Sequence, residues 1–420
     1  MKTAAYWLWL QSAMGPGANA QDMFAAFGTA RAVWEAVPTA RAVSAAFTPR
    51  QLNAMRECAP RDFAPLIRGC AAKGWSIITP ESPDYPALLR TIINPPLALF
   101  CHGDTEILSH PMPLGVVGTR GASYKSRKIT NRLCVSLTGA GALIVSGGAL
   151  GVDSAAHEGA LAAEGKTVAV LGAGLDSPYL SENAPLRRRI SESGVLVTEF
   201  PPGTDVKPRN FPIRNRIISG MCRGVLVIEA GERSGSLITA GCALEQGRDV
   251  FAVPGDIAES TNNGSNKLIR EGAKPVFSAY DVLEDYAMRF PGLVDLSRAD
   301  TVLEHAPEYV PPVEKPKKKS VKKADEKTPA DTHKKPYVPF TAPAGTKSTP
   351  APQSPVTTVC PEACSPGAKA VFAVLTAEPR GADEIARDCA MPVGEVMAAV
   401  TELELFGAAR RAAGNRFARA

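Results

Sequence analysis

Short apolar runs alternate with amphipathic segments through the middle of the chain, from about residue 110 to residue 290. Apolar runs rich in β-branched residues and bounded by glycine or polar residues are typical of buried strands, and the longer segments between them have helical spacing. Strands are predicted at Leu114–Gly118, Leu143–Ser146, Thr167–Leu171, Val195–Glu199, Gly224–Ile228 and Val250–Val253. Strands that alternate with helices predict an α/β fold with a mostly parallel, doubly wound, Rossmann-like sheet.

Helical patterns without strands flank this region on both sides. Residues 1–75 are rich in alanine, and the Gly15-Pro16-Gly17 turn separates two short apolar helices. This segment resembles a sterile-alpha-motif or helix-hairpin-helix domain, and a small packing domain is an equal alternative. Residues 366–420 read as three short helices and a basic hairpin, which predicts a winged helix. Such modules bind duplex DNA in some proteins and protein in others.

The segment between the predicted sheet domain, residues 76–290, and the winged helix has a different composition. Proline, lysine, serine and threonine dominate it, so residues 291–365 are predicted to be a flexible linker. Between Glu308 and Lys347 the chain has ten lysines and five acidic residues. This surplus of positive charge equals the net charge of +5 of the whole chain. The folded parts are therefore near neutral, and a nucleic-acid site there must be argued from local residues.

Composition limits the class of protein further. A chain of 420 residues with 45% hydrophobic content is long enough for several folded domains. Its nine cysteines show no regular framework and no zinc spacing, so we expect a cytoplasmic protein without a metal or other cofactor. The apolar stretch near the N-terminus is interrupted too early for a signal peptide, and no run has the roughly 20 apolar residues of a membrane span.

The stretch ALIVSGGALGVDSAAHE, residues 142–158, predicts a glycine turn between a strand and a helix. Backbone N–H groups point at an anion in such a turn, although Asp153 as a helix cap would satisfy the same groups. A dinucleotide fingerprint fails because position 146 is serine, and a phosphate-binding P-loop around Lys166 fails because position 160 is alanine.

Other strand ends also carry glycines and cations. Because ligands bind beyond the carboxyl ends of parallel strands, these ends are expected to form one anion-binding rim. The segment 207–216 reads KPRNFPIRNR, in which Lys207, Arg209, Arg214 and Arg216 are interleaved with Phe211 and Asn215. Cations beside an aromatic ring favour phosphate contacts and base stacking. The alternative is a buried phenylalanine among solvated arginines.

The chain shows few signs of catalysis. His157 lies four residues after Asp153, but two potential ligands do not make a metal site. We interpret His157 as a buried, hydrogen-bonded histidine, and we predict no catalytic residues.

Several motifs, in this order along the chain, together resemble the DNA-processing protein A family, also called DprA or Smf. They are Gly118-Thr119-Arg120, the turn from Ser146 to Asp153 with His157, the segment from Phe211 to Ile218, the segment from Ser234 to Ala240, Val253-Pro254-Gly255, and the segment from Gly264 to Ile269 with Gly272-Ala273. The resemblance is dense from about residue 80 to 285, and the flanking helical and winged-helix segments fit the same family layout.

The resemblance implies a non-enzymatic, dimeric protein that binds single-stranded DNA during natural transformation and helps to load the RecA recombinase. Carried over by position, the residues expected to line the DNA groove are Arg120, Ser146, Gly147, Gly148, Phe211, Arg214, Arg216 and Lys267. Three departures from the family pattern stand out. Lys125 follows Tyr124 where the family often has glycine, which adds a possible phosphate contact. Leu180 follows Tyr179 where proline is usual, and Pro208 follows Lys207, which obscures the position of a DNA-contacting lysine.

Two readings from other classes remain open. Ser234-Gly235-Ser236-Leu237-Ile238-Thr239 with Glu245 is similar to the phosphate loop of cytokinin-activating phosphoribohydrolases, which cleave nucleoside monophosphates. The other reading is a scaffold for a recombinase, in which DNA contact is secondary.

Overall fold

The computed structural model describes residues 2–38, 46–178, 181–311, 364–406, 408–412 and 416–419. The chain forms two compact units, Met1–Lys318 and Lys319–Ala420, which are treated separately below.

A nine-stranded sheet is the centre of the first unit. In chain order its strands are β1 (Trp75–Ile78), β2 (Leu99–Gly103), β3 (Pro113–Val117), β4 (Leu143–Ser146), β5 (Thr167–Val170), β6 (Val195–Thr198), β7 (Gly224–Val227), β8 (Asp249–Ala252) and β9 (Lys274–Pro275). Their order across the sheet is β1-β2-β6-β5-β4-β3-β7-β8-β9. In this spatial order, neighbouring strands are parallel from β6 through β5, β4, β3, β7 and β8 to β9. The strands β1 and β2 extend the sheet beyond β6 in antiparallel pairing. The predicted doubly wound, mostly parallel fold is confirmed.

The order of the strands creates a switch point at the middle of the sheet. The chain runs outward from β3 through β4 and β5 to β6, and then crosses back to place β7 on the other side of β3. Ligand crevices form at such points, outside the carboxyl ends of the strands. Strands β3 to β7 are buried on both faces, in agreement with their largely apolar sequences.

Helices cover both faces of the sheet. The helices that follow the first strands are α6 (Ala87–Arg90), α7 (Tyr124–Gly139), α8 (Val152–Ala162), α9 (Ala184–Ser193), α10 (Asn210–Met221), α11 (Gly235–Glu245), α12 (Asn263–Arg270) and α13 (Ala279–Arg289). Two apolar clusters fill the interior, one containing Val145, Val170 and Ile217 and the other containing Ile144, Leu226 and Tyr286. The alternation of side chains along each strand explains why Ile144 and Val145 belong to different clusters.

The N-terminal helical segment packs against this sheet. It contains α1 (Lys2–Met14), α2 (Gln21–Phe27), α3 (Ala30–Ala36), α4 (Pro49–Glu57) and α5 (Ala64–Ala72). Trp7, Trp9 and Leu10 are fully buried in its core. Gln11 ties the segment to the sheet, because its amide nitrogen donates to the Glu199 carbonyl at 2.8 Å and its amide oxygen accepts from the Ala98 N–H.

The predicted linker begins later than residue 291. A further helix, α14 (Ser297–His305), packs against α7, where Gly139 leaves room for Val302. Beyond it, Lys128 pairs with Glu308 at 3.2 Å, and Tyr309 is buried. The boundary is corrected because these apolar positions bury surface against the sheet unit. Residues 312–363 lie outside the described residues, as does the Tyr179-Leu180 departure.

The second unit contains the predicted three helices and hairpin. These elements are α15 (Pro366–Val374), β10 (Arg380–Gly381), α16 (Ala382–Cys389), α17 (Val393–Leu405), β11 (Ala409–Ala412) and β12 (Arg416–Arg419). Phe372, Ile385, Val400 and Phe417 form a separate core. Across the described parts of both units, no helix combines the length and the apolar character that a membrane crossing requires.

Candidate functional site

The carboxyl ends of β4 and β5 meet the start of α10 around a cleft that is open to solvent and has about 340 Å³ of empty space. Its lining includes the backbone of Gly147 and Gly148 after β4 and of Gly172 and Gly174 after β5. The side chain of Phe211 forms one wall. The structure therefore places two of the predicted glycine turns and the predicted aromatic residue at the same point.

Phe211 and Arg120 form a cation–π pair at this edge. The Arg120 guanidinium lies over the Phe211 ring, 4.4 Å from its centroid. Phe211 is half-buried and Arg120 is exposed. The ring contacts the backbone at Gly172, where a Cβ atom would be 3.1 Å from a ring carbon. Glycine at 172 thus allows the aromatic ring to approach the end of β5.

The start of α10 is held in place by Asn210. Its amide nitrogen donates to the carbonyl oxygens of Gly172, at 3.0 Å, and of Asp205, at 3.2 Å. These bonds join the loop that crosses the sheet to the end of β5, and they set the position of the next residue, Phe211.

Arg214 lies one turn further along α10 at the floor of the cleft. It is 4% exposed, and its guanidinium donates to the Val170 carbonyl at 2.9 Å. A side chain at Gly147 would collide with this guanidinium and with the carboxylate of Asp153. Gly147 is therefore needed where the cation and the carboxylate approach the backbone.

The structure corrects the predicted helix cap at Asp153. This residue is inside α8, and its carboxylate accepts from the Ala149 N–H at 3.3 Å instead of from the first turn of the helix. Burial raises the pKa of Asp153, and the neighbouring Arg214 opposes that shift. The carboxylate thus supports the glycine turn and the Arg214 guanidinium.

Three residues predicted to line the groove are buried and make hydrogen bonds to other parts of the protein. The Ser146 hydroxyl is fully buried and donates to the Val116 carbonyl at 2.6 Å. Asn215 is buried and donates to the Gly235 carbonyl at 3.1 Å. Arg216 is buried against Glu199, with 2.5 Å between Nη2 and Oε2, and also donates to the Asn94 carbonyl. Their polar groups make these hydrogen bonds inside the protein, and their contact with DNA stays a prediction.

The remaining predicted cations are on the surface. Lys207 and Arg209 are exposed immediately before α10, and Lys125 is exposed in the first turn of α7. Lys267 is exposed on α12, 3.6 Å from Glu271. The α12 helix starts at the end of β7, since the Gly264 N–H donates to the Ala230 carbonyl at 2.7 Å.

Sequence reasoning missed Arg187, which lines the cleft from α9. Burial lowers the pKa of its guanidinium. The sequence shows three consecutive arginines, 187 to 189, on a helix that carries no recognised motif. Only the packing of α9 against the sheet shows which of them faces the cleft.

His157 is a buried neutral imidazole, as predicted. Its Nδ1 lies 2.8 Å from the Thr167 hydroxyl, which itself donates to the Ile144 carbonyl. Burial, assisted by Arg214, lowers the pKa of His157 to about 3. Among the described residues no group of three or more metal-ligating side chains occurs.

Glu245 does not join the loop that resembles a phosphoribohydrolase. It is exposed at the last position of α11, whereas Ser234 precedes the first. With a rise of 1.5 Å per residue, about 15 Å separates the two ends of the helix. The carboxylate therefore lies at the opposite end of the helix from Ser234.

In the winged-helix unit, the helix that would enter a DNA groove is α17. It contains Glu395, Glu402 and Glu404 and neither lysine nor arginine. Glutamates on that helix oppose contact with phosphates. The Arg419 guanidinium of the hairpin donates to the Phe372 carbonyl and lies over the Phe372 ring.

Fold and site together define a Rossmann-like α/β protein with a ligand cleft at the carboxyl edge of its sheet, joined to a winged-helix unit. Residues 76–287 match the family model for DNA recombination-mediator protein A, and residues 347–415 match the DprA winged helix domain. The chain belongs to the DprA/Smf family of DNA processing proteins.

Individual relatives agree with this assignment. The chain is 41% identical to DNA processing protein DprA of Bacillus subtilis over 217 residues, which are 52% of this chain and 73% of the relative. It is 33% identical to protein Smf of Synechocystis over 350 residues, which are 83% and 81% of the two chains. The crystal structure of DprA from Streptococcus pneumoniae superposes with a TM-score of 0.59 at 32% identity, covering 67% of this chain and 98% of that one.

Proposed function

We propose that the carboxyl edge of the sheet binds a single strand of DNA without sequence preference. The observation that carries the proposal is the Arg120–Phe211 pair at the mouth of a glycine-lined cleft. Aromatic rings bind bases of any sequence by stacking, and cations around them bind the backbone. Lys207, Arg209, Lys125 and Lys267 are exposed cations on the elements that border this edge.

Duplex DNA is a poorer ligand for such an edge. Stacking on Phe211 requires an unpaired base, whose faces are otherwise covered by its neighbours in the helix. The flexible backbone of a single strand also allows its phosphates to reach backbone N–H groups in a narrow cleft. Selectivity for the single strand therefore follows from the aromatic residue rather than from the charge.

Membership of the family extends the proposal. We infer that the chain acts in the cytoplasm as a homodimer, protects incoming DNA during natural transformation and helps to load the RecA recombinase onto the strand. Family membership supports these steps. Binding is non-enzymatic, so the strand is released unchanged.

The proposal is tested by fluorescence anisotropy with labelled oligothymidine and a duplex of equal length, over a series of salt concentrations. We expect tight, salt-sensitive binding that prefers the single strand. Stacking contributes about 1–3 kcal/mol per base, so Phe211→Leu should weaken binding roughly 5- to 150-fold. Arg120→Ala should weaken it as well, with a smaller salt dependence.

The matched control is Arg61→Ala, because Arg61 is 90% exposed on the helical segment and pairs weakly with Asp62. This variant should bind like the unmodified protein. Equal affinity for single strand and duplex, or a Phe211→Leu variant with unchanged affinity, would contradict the proposal.

A further inference from the structure

Glu229 is a buried carboxylate at the carboxyl edge of the sheet that the proposed DNA site does not use. It follows β7, the strand that lies on the other side of β3 after the chain has crossed the sheet, and it is 2% exposed. A buried carboxylate loses its hydration, so hydrogen bonds must replace the lost water. The partners of Glu229 therefore indicate its role.

Both the backbone and the carboxylate of Glu229 bind the loop between β3 and α7, residues 118–123, here called the arginine loop. The Glu229 carbonyl accepts from the Thr119 N–H at 2.8 Å. Its carboxylate Oε2 accepts from the Ser123 N–H at 3.2 Å and from the Ser123 hydroxyl at 3.3 Å. One residue that follows β7 therefore holds the arginine loop at two points, one before and one after Arg120.

The helices on either side of the arginine loop fix the same two points. The Val152 N–H at the start of α8 donates to the Thr119 carbonyl at 3.3 Å, and Gly151 lies against the carbonyl oxygens of Thr119 and Arg120. Ser123 is the N-cap residue of α7. Because the loop is short and both of its ends are held, the direction in which Arg120 leaves the backbone is set by these contacts.

Arg120 has an exposed side chain with a defined position. Its guanidinium lies 4.4 Å from the centroid of the Phe211 ring. A long, exposed side chain loses conformational entropy when a ligand orders it. If the backbone below it already points the side chain at the ligand, less of that entropy is lost on binding. The anchor of the arginine loop is therefore expected to affect the affinity for the strand.

We propose that Glu229 is a positioning residue, which acts on the bound DNA strand through the arginine loop and Arg120. This inference rests on the proposed function, in which Arg120 contacts the strand. The buried carboxylate does not itself bind the strand, and its negative charge opposes contact with phosphates. Its favourable effect on affinity therefore depends on the presence of Arg120.

A double-mutant cycle in the full chain tests this dependence, with labelled oligothymidine and fluorescence anisotropy. Glu229→Met keeps an unbranched side chain of similar length but removes the acceptor. It should weaken binding roughly three- to tenfold on its own, and by less than about twofold in a chain that already carries Arg120→Ala. It should also lower the salt slope of log K only where Arg120 is present.

Two further variants control for acceptor and charge. Glu229→Gln keeps an oxygen that accepts from the Ser123 N–H, so it should bind within about twofold of the unmodified chain. Glu232→Ala removes a negative charge from an exposed residue close by and should not weaken binding. If Glu229→Met does not fold, Ser123→Ala replaces it. This variant removes the hydroxyl from the other side of the contact, and should weaken binding about twofold when Arg120 is present.

The remaining outcomes are also decisive. Equal weakening by Glu229→Met with and without Arg120 would overturn the inference, because the residue would then act on the fold as a whole. Unchanged binding in Glu229→Met would overturn it too, as would a Glu229→Gln variant that binds as weakly as Glu229→Met. All three results leave the proposed function intact. No binding of the strand by the unmodified chain would instead be the failure of the proposed function.

Discussion

Arg214 and Arg216 have the same residue type in one motif but opposite environments. Two positions along a helix correspond to a rotation of about 200°, so the two side chains leave α10 on nearly opposite sides. Arg214 turns to the cleft, whereas Arg216 turns to Glu199 and to the N-terminal helical segment. A buried ion pair of this kind requires complete hydrogen bonding, which Asn94 and Gly17 help to supply. The motif therefore combines a cation that lines the cleft with one that forms a buried ion pair.

His157 makes the stability of the first unit depend on pH. Its pKa is about 3 in the folded protein and about 6.5 when the chain unfolds, so the unfolded state takes up the proton first. The contribution to stability is complete above pH 6.5 and is lost as the pH falls toward 3. Urea unfolding should be measured at pH 7.5 and at pH 5.0. Between these two values, the free energy of unfolding of the unmodified protein should fall by about 2 kcal/mol more than that of His157→Gln.

The control for this comparison is His305→Gln, because His305 is exposed on α14. It should show the same decrease as the unmodified protein. If His157→Gln has the same pH dependence as the unmodified protein, the buried imidazole is not the cause.

At the scale of elements, one side of α10 borders the cleft and the N-terminal helical segment packs against its other side. The Gly17 N–H donates to the Glu199 carboxylate at 3.2 Å, and the same carboxylate binds Arg216. Gly17 has a positive φ of 77° and lies against Ile213 of α10. The turn between α1 and α2 thus supports the helix that carries Phe211.

Substitutions at Gly15 and Gly17 distinguish the effect of packing against Ile213 from the effect of backbone strain. Gly15 and Gly17 both have positive φ, but a Cβ atom at Gly15 meets nothing within 4 Å, whereas one at Gly17 meets Ile213 at 3.0 Å. Gly15→Ala should cost about 1 kcal/mol of the free energy of unfolding. Gly17→Ala should cost about 2–4 kcal/mol, since overpacking is added.

Oligothymidine binding provides the second measurement. We expect Gly17→Ala to weaken it several-fold by shifting α10, and Gly15→Ala to leave it unchanged. Equal losses of stability and of binding in the two variants would show that the turn does not support the helix.

At the scale of the whole molecule, opposite edges of the sheet differ in role. Exposed cations of the proposed DNA edge follow the carboxyl ends of the strands, whereas Lys166 precedes β5 at the amino end and pairs with Asp104 at 2.6 Å. Because counterions are released for each phosphate contact, removal of one contact on a single strand should lower the salt slope of log K by about 0.7.

Lys267→Ala and Lys166→Ala test this polarity of the sheet. The first should reduce the slope by about 0.7, and the second should leave it unchanged. The reverse result, or equal slopes in the two variants, would place the strand elsewhere on the molecule.

Local pattern determined much of this protein. The six central strands, the three helices of the winged unit and the glycine turns are recognisable because burial on both faces demands continuous apolar runs and tight turns demand glycine. The proximity of Arg120 and Phe211 could be predicted from the sequence, since both residues follow the carboxyl ends of strands. The edge strands β1 and β2 and the helix α14 were not predicted, because they lie outside the alternating strand and helix pattern of residues 110–290.

Only the tertiary structure decided which polar residues line the cleft. Ser146, Asn215 and Arg216 have the composition of a DNA site, yet their hydrogen-bond partners come from segments up to 122 residues away. Arg187 has no motif and still reaches the cleft, because α9 packs beside β5 and turns that face inward. Residue type and spacing specify an element and its faces. The direction of each face depends on contacts distant in sequence, which are formed when the sheet assembles around its crossover.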